Sequence, residues 1–124
     1  MSSVSKNNVI RRLVIPSNEF KAVSVINTKV EMCLKAMQTA VGGNIEAYPL
    51  KTNKVVLYVN EEGVLEDLPI NQHLLDIGII VHGDAVLAKN DKKGEECDLP
   101  EEMNEANWKL YVVEPKKSKS NKKK

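Results

Sequence analysis

Aromatic side chains are scarce in this chain: one Trp, one Phe and three Tyr, 4% of 124 residues. Base stacking on single strands needs several exposed rings, so the scarcity argues against sequence-specific reading of nucleic acid. Cysteine is scarcer still. Cys33 and Cys97 lie far apart, and neither belongs to a C-x-x-C pair, which leaves no zinc-ribbon or thioredoxin-like spacing. Residues 1–8 lack the apolar stretch of a secretory signal, so both cysteines are expected as reduced intracellular thiols. No apolar run approaches the roughly 20 residues that cross a bilayer. Nor is there a G-x-S-x-G, a Walker A lysine, a G-x-G-x-x-G or an H-E-x-x-H. These absences predict no catalytic residue, no cofactor, no metal and no membrane partner.

Net charge is almost absent too, at +1, but that figure hides an asymmetry. The last nine residues, Lys116 to Lys124, carry six lysines and no acid. Without those six, 12 basic residues face 17 acidic ones, so residues 1–115 carry about −5. An acidic body is not drawn to phosphate. Any nucleic-acid contact would come from Lys116, Lys117, Lys119, Lys122, Lys123 and Lys124, and it would be non-specific. The same lysines also fit an import signal or a solubilising end.

What is present is a series of short apolar runs separated by turn residues. Residues 1–8 read as a flexible N-terminus. Val9 to Pro16 is rich in β-branched residues, and Phe20 to Ile26 alternates, which predicts two strands in a hairpin. Thr28-Lys-Val-Glu31 fits a capping box. Val30, Cys33, Leu34, Met37 and Val41 then form one helical stripe, and Gly42 follows as a left-handed stop. After Gly43 come a strand to Leu50, a hairpin loop at Lys51 to Lys54, and Val55 to Val59, which is apolar on both faces like an interior strand. Pro49 argues that the end of its strand lies at an edge or leaves the sheet.

Asn60-Glu-Glu-Gly63 reads as a turn in which glycine supplies a positive φ. Asn71 is the expected N-cap of a short helix that Gly78 stops, and Ile79 to Ala88 reads as a last core strand, broken or bulged at Gly83. Beyond it, Pro100 suits the start of a short helix over Glu101 to Trp108, with Trp108 docking on the sheet. Leu110 to Val113 either adds a strand or continues that helix.

The predicted fold is α+β. A mostly antiparallel sheet in the order β-β-α-β-β-α-β is covered on one face by one amphipathic helix. A short second helix and a disordered basic C-terminal tail complete it. The expected divisions are 1–8, a core domain over 9–89, an acidic segment over 90–115 with a short docking element, and the tail over 116–124.

Four motifs recur in order: Val41-Gly-Gly-Asn-Ile-Glu46, Val59-Asn-Glu-Glu-Gly63, Leu68-Pro-Ile-Asn71 and Gly83-Asp-Ala-Val86. Together they resemble a small family of uncharacterised domains found in bacteriophages, mobile elements and large DNA viruses. The resemblance covers rather less than half the chain, and the acidic segment and lysine tail depart from it. It implies an accessory protein of viral type and supplies no reaction.

The polar residues inside those motifs, Glu46, Asn60, Glu61, Asn71 and Asp84, are the candidate ligand- or partner-binding residues. The competing reading makes Asn60 and Asn71 turn and cap residues, and makes Glu61 and Glu62 solvated charges. Glu46 with Glu61 is the one candidate carboxylate pair, and its spacing does not require catalysis. His73 and His82 lack ligand spacing for structural zinc and read as a surface helix histidine and a strand histidine with a backbone partner.

Three functions remain open. The chain is expected to be a non-catalytic module that binds a protein partner, a small-ligand or nucleotide-like binder, or a structural component of a virus particle with charged arms. The expected location is inside a cell, in the cytoplasm, in the nucleus of a host cell, or in a particle.

Overall fold

A computed structural model describes residues 9–48, 50, 55–90 and 96–112. The lysine tail, the N-terminal eight residues, Pro49 and the Lys51–Lys54 loop lie outside them. The described residues form an α+β fold built on one antiparallel sheet. The elements are β1 (Val9–Ile15), β2 (Ser24–Lys29), a 3-10 turn (Val30–Met32) running into α1 (Cys33–Val41), β3 (Ile45–Tyr48), β4 (Val56–Asn60), α2 (Gln72–Leu75), β5 (Ala85–Asn90), β6 (Glu96–Cys97) and α3 (Lys109–Val112). The sheet order is β2-β1-β5-β4-β3, and β6 extends from the end of β5. All the pairs are antiparallel.

Strand alternation decides which side chains meet which layer. On one face, Leu13 and Ile15 of β1, Leu57 and Val59 of β4, and Ala85 and Leu87 of β5 form the main core. Leu13, Leu57 and Leu87 are fully buried, and burying each contributes about 1.5–3 kcal/mol. On the other face, Val86 of β5 packs against Met37 and Val41 of α1, flanked by Val14 and Tyr58. The interior position of β4 follows from this: its apolar side chains serve both layers.

The sheet is therefore covered on both faces, not by α1 alone. The second cover is irregular chain plus two short helices. Leu74, Val81, Leu99, Met103, Trp108 and Val112 all belong to the main core. Arg11 fixes this cover: its Nη1 donates to Pro100 O at 2.7 Å and its Nη2 to Met103 O at 2.6 Å. The neighbouring Arg12 points the opposite way, as alternation requires, and its buried Nη1 donates to Cys33 Sγ at 3.0 Å. Cys33, the first residue of α1, is buried, and its Sγ also donates to Lys29 O at 3.4 Å.

Several local expectations change. β2 begins later than predicted and continues to Lys29, so Thr28 is a strand residue paired with Ile10. The capping box does not form; the helical segment starts after Lys29 with no side-chain cap. Sheet pairing has outcompeted the cap, because it satisfies backbone groups along six residues of β2 rather than one turn. Val30 and Leu34 are exposed, and the buried stripe narrows to Cys33, Met37 and Val41. Residues 101–108 form turns, and the helix comes later, at Lys109–Val112. Gly42 does take the left-handed stop, with φ of 81°.

Lys109 ties α3 to α2. Its Nζ lies 2.7 Å from Asp76 Oδ2 and sits over the Trp108 ring. The hydrogen bond from Lys109, then its charge, holds the Asp76 carboxyl below its ordinary 3.8. The folded value thus lies below the unfolded one. The pair's contribution is in force above the unfolded value and is lost as pH falls through the folded one. Both groups are solvent-exposed, so that contribution is small. Lys109→Met is expected to return Asp76 upward to its ordinary titration, read from carboxyl shifts in an NMR pH series.

Candidate functional site

The four sequence motifs converge on one end of the sheet, where they build a hydrogen-bonded knot. Asn60 closes β4, and its buried side chain works in both directions. Its Nδ2 donates to Val41 O at the end of α1, 3.0 Å away, and its Oδ1 accepts from Glu62 N at 2.7 Å. The Asn-Glu-Glu-Gly turn is thereby tied to the helix stop of the first motif. The loop that follows is closed by its own backbone: Gly63 N donates to Asn60 O, Glu66 N to Glu62 O, Asp67 N to Val64 O and Leu68 N to Gly63 O. Asp67, not Gly63, takes the positive φ in this loop, at 57°. Gly63 serves another purpose. A Cβ there would lie 2.5 Å from His82 O, so the glycine permits a close backbone crossing.

Asn71 and Asp84 hold the neighbouring part of the knot. Asn71 is fully buried. Its Oδ1 caps α2 by accepting from Leu74 N at 3.1 Å, and its Nδ2 donates to Ile15 O and Gly83 O. Asp84 Oδ1 accepts from Ser17 N at 2.7 Å, just past the end of β1. Residues 79–84 do not continue β5. They run as irregular chain joined to the third motif by an Ile70–His82 bridge. The His82 ring donates through Nδ1 to Leu68 O at 2.9 Å, and the His73 ring donates through Nε2 to Lys21 O at 2.8 Å. Each ring is thus engaged by a carbonyl. Among the described residues, no group of three His, Cys, Asp or Glu side chains is placed to hold a metal.

The candidate residues therefore divide. Glu46, Asn60 and Glu61 line one cleft of about 190 Å³, together with Tyr48, Glu62, Val64, Leu65, Ile80 and His82. Asn71 and Asp84 are not among its lining residues. Within the cleft, Asn60 spends its amide on the fold, while Glu46, Glu61 and Glu62 are exposed. The rim also holds what polar motifs alone did not disclose: Leu65 is 85% exposed, Val64 71% and Ile80 54%. The signal for Val64 and Leu65 was present, as two adjacent apolar residues directly after a four-residue turn.

A family model described as "Domain of unknown function (DUF3846)" matches residues 10–119. The chain belongs to this family. The DUF3846 match takes in all four motifs and the whole motif knot. It also runs through the acidic segment and past Trp108. That segment is therefore part of the DUF3846 unit and not an addition to it, in keeping with the place of Leu99, Met103 and Trp108 in the core. No curated protein and no solved structure matches the chain. Among the described residues, no helix is long and apolar enough to cross a membrane.

Proposed function

We propose that this chain is a non-catalytic accessory protein of viral or phage type that binds a partner protein inside the cell. The binding face is the cleft between β3 and the Glu61–Asp67 loop. One observation carries the reading: a loop locked by its own hydrogen bonds presents Val64 and Leu65 to solvent beside exposed Ile80. Exposed apolar residues scattered singly need no explanation, but three around one cleft support the reading as an interaction surface. Because the loop is held by side-chain and backbone hydrogen bonds, binding loses little conformational freedom there. Leu65 is the expected anchor, and Glu46, Glu61 and Glu62 form the polar rim. The cleft is below the roughly 300–1,000 Å³ of small-molecule sites, and among the described residues no lysine or arginine lines it to hold a nucleotide phosphate.

The test is affinity purification of the tagged full-length protein from the cells in which it is made. Wild type, Leu65→Asp and a version lacking Lys116–Lys124 are compared. A recurrent protein partner is expected to survive loss of the tail and to disappear with Leu65→Asp. Recovery of nucleic acid alone, vanishing with the tail, would overturn the reading. So would a clear thermal shift with one member of a nucleotide panel.

A further inference from the structure

The sheet ends at β3, and among the described residues only β4 lies beside it. Which backbone groups face outward can be read from one bond. Asn44 O accepts from Glu61 N at 2.8 Å, and the register pairs Ile45 with Asn60 and Glu46 with Val59. Bonded and non-bonded pairs alternate along an antiparallel ladder. Glu46 and Tyr48 therefore exchange bonds with β4, while the N–H and C=O groups of Ile45 and Ala47 point off the sheet. The side chains alternate in the same register. Glu46 and Tyr48 both line the cleft.

We infer that the partner enters as an extended segment with basic residues at alternate positions, added as a strand along β3. This rests on the protein-binding reading above. The added strand would satisfy the outward groups of Ile45 and Ala47, the usual source of affinity in strand addition. Its residues on the cleft side would stand about 4.5–5.5 Å from Glu46 and Tyr48, measured between Cβ atoms.

Charge selects the chemistry. Among the described residues, three acids, Glu46, Glu61 and Glu62, line the cleft, and no lysine or arginine does. A lysine or arginine opposite Glu46 is therefore favoured, and an apolar neighbour can lie on Val64, Leu65 and Ile80. A second copy of this chain is the wrong occupant, because pairing β3 with β3 would crowd the same acids together. The other edge, β2, lies at the opposite end of the sheet, away from this cleft.

The experiment uses the full-length, ¹⁵N-labelled protein and two octapeptides of equal charge, one alternating lysine and valine, the other alternating lysine and proline. Proline cannot supply the strand's N–H groups. The lysine–valine peptide is expected to give saturable NMR shifts centred on the Ile45 and Ala47 amides. The lysine–proline peptide is expected to bind about tenfold more weakly or worse. Ala47→Pro removes an outward N–H and leaves the β4 bonds intact, so it should abolish binding while β4 amides keep their positions. Glu46→Lys should weaken binding about tenfold through like charges set opposite each other, which decides the matter if Ala47→Pro disturbs the fold.

Equal binding of both peptides, binding retained by folded Ala47→Pro, or no binding at millimolar peptide would each overturn the inference. A cellular partner lost with Leu65→Asp but kept by folded Ala47→Pro would overturn strand addition and leave the protein-binding reading standing. Specific peptide binding at β3 with no recurrent cellular partner would overturn only the functional reading.

Discussion

Asn71→Ala is expected to destabilise the fold by roughly 4 kcal/mol, the largest effect of any single polar substitution proposed for this chain. The side chain joins three separate pieces of backbone. It caps α2 through Leu74 N, and its amide donates to Ile15 O at the end of β1 and to Gly83 O before β5. Alanine removes the cap, worth about 1 kcal/mol. It also strips the donor from two carbonyls in a site closed to water, at about 1–3 kcal/mol each. Asn71 is 0% exposed, so solvent cannot enter to compensate without opening the core around Leu74. In thermal unfolding the loss should appear as a fall of about 15 °C in Tm. Asn71→Ser keeps a capping oxygen and loses the bridging donors, so it should recover about 1 kcal/mol of the deficit. A loss below about 1 kcal/mol for Asn71→Ala would show that neither carbonyl depends on it. Partner binding should then track the folded fraction in both variants, because Asn71 does not line the cleft.

The same residue shows what was legible beforehand. Its capping role was readable because a cap is a local device, fixed by three or four neighbouring residues. Gly42 and the Cys33–Met37–Val41 stripe were readable for the same reason. Asn71's bridge to Ile15 was not, since no local pattern reports a partner 56 residues away. Thr28 marks the converse failure. Its capping box satisfied every local rule, yet the strand pairing of Thr28 with Ile10 claimed the residue. Tertiary pairing overrides local preference where the two compete.

The candidate site divides along the same line. Glu46, Asn60 and Glu61 meet because β3 and β4 are adjacent strands of one hairpin, which the sequence pattern implied. Asn71 and Asp84 sit in a different part of the knot, and only the fold reveals that they serve Ile15 and Ser17. Val64 to Pro69 reads as irregular chain, and a stretch without periodicity does not report which of its apolar residues are exposed, as Val64 and Leu65 are.

Gly63→Ala is expected to cost about 3 kcal/mol and to weaken partner binding beyond that loss of stability. The cost does not come from φ, because Gly63 is not among the positive-φ glycines. It comes from contact. The added methyl would lie 2.5 Å from His82 O and 3.2 Å from His82 Cβ. A flexible side chain would yield, but this neighbour is backbone, and it is held. Gly83 N donates to Pro69 O at 2.7 Å, the His82 ring donates to Leu68 O, and Leu68 N donates back to Gly63 O. His82 can therefore retreat only by stretching bonds that also fix the loop. The strain passes to the residues directly after Gly63, the exposed Val64 and Leu65. Urea unfolding would measure the first effect as a lower midpoint at unchanged slope. Binding measured on the folded fraction would isolate the second. A Gly63→Ala protein with wild-type stability would mean that His82 is free to move. The loop would then not be the rigid platform on which the proposed interaction depends.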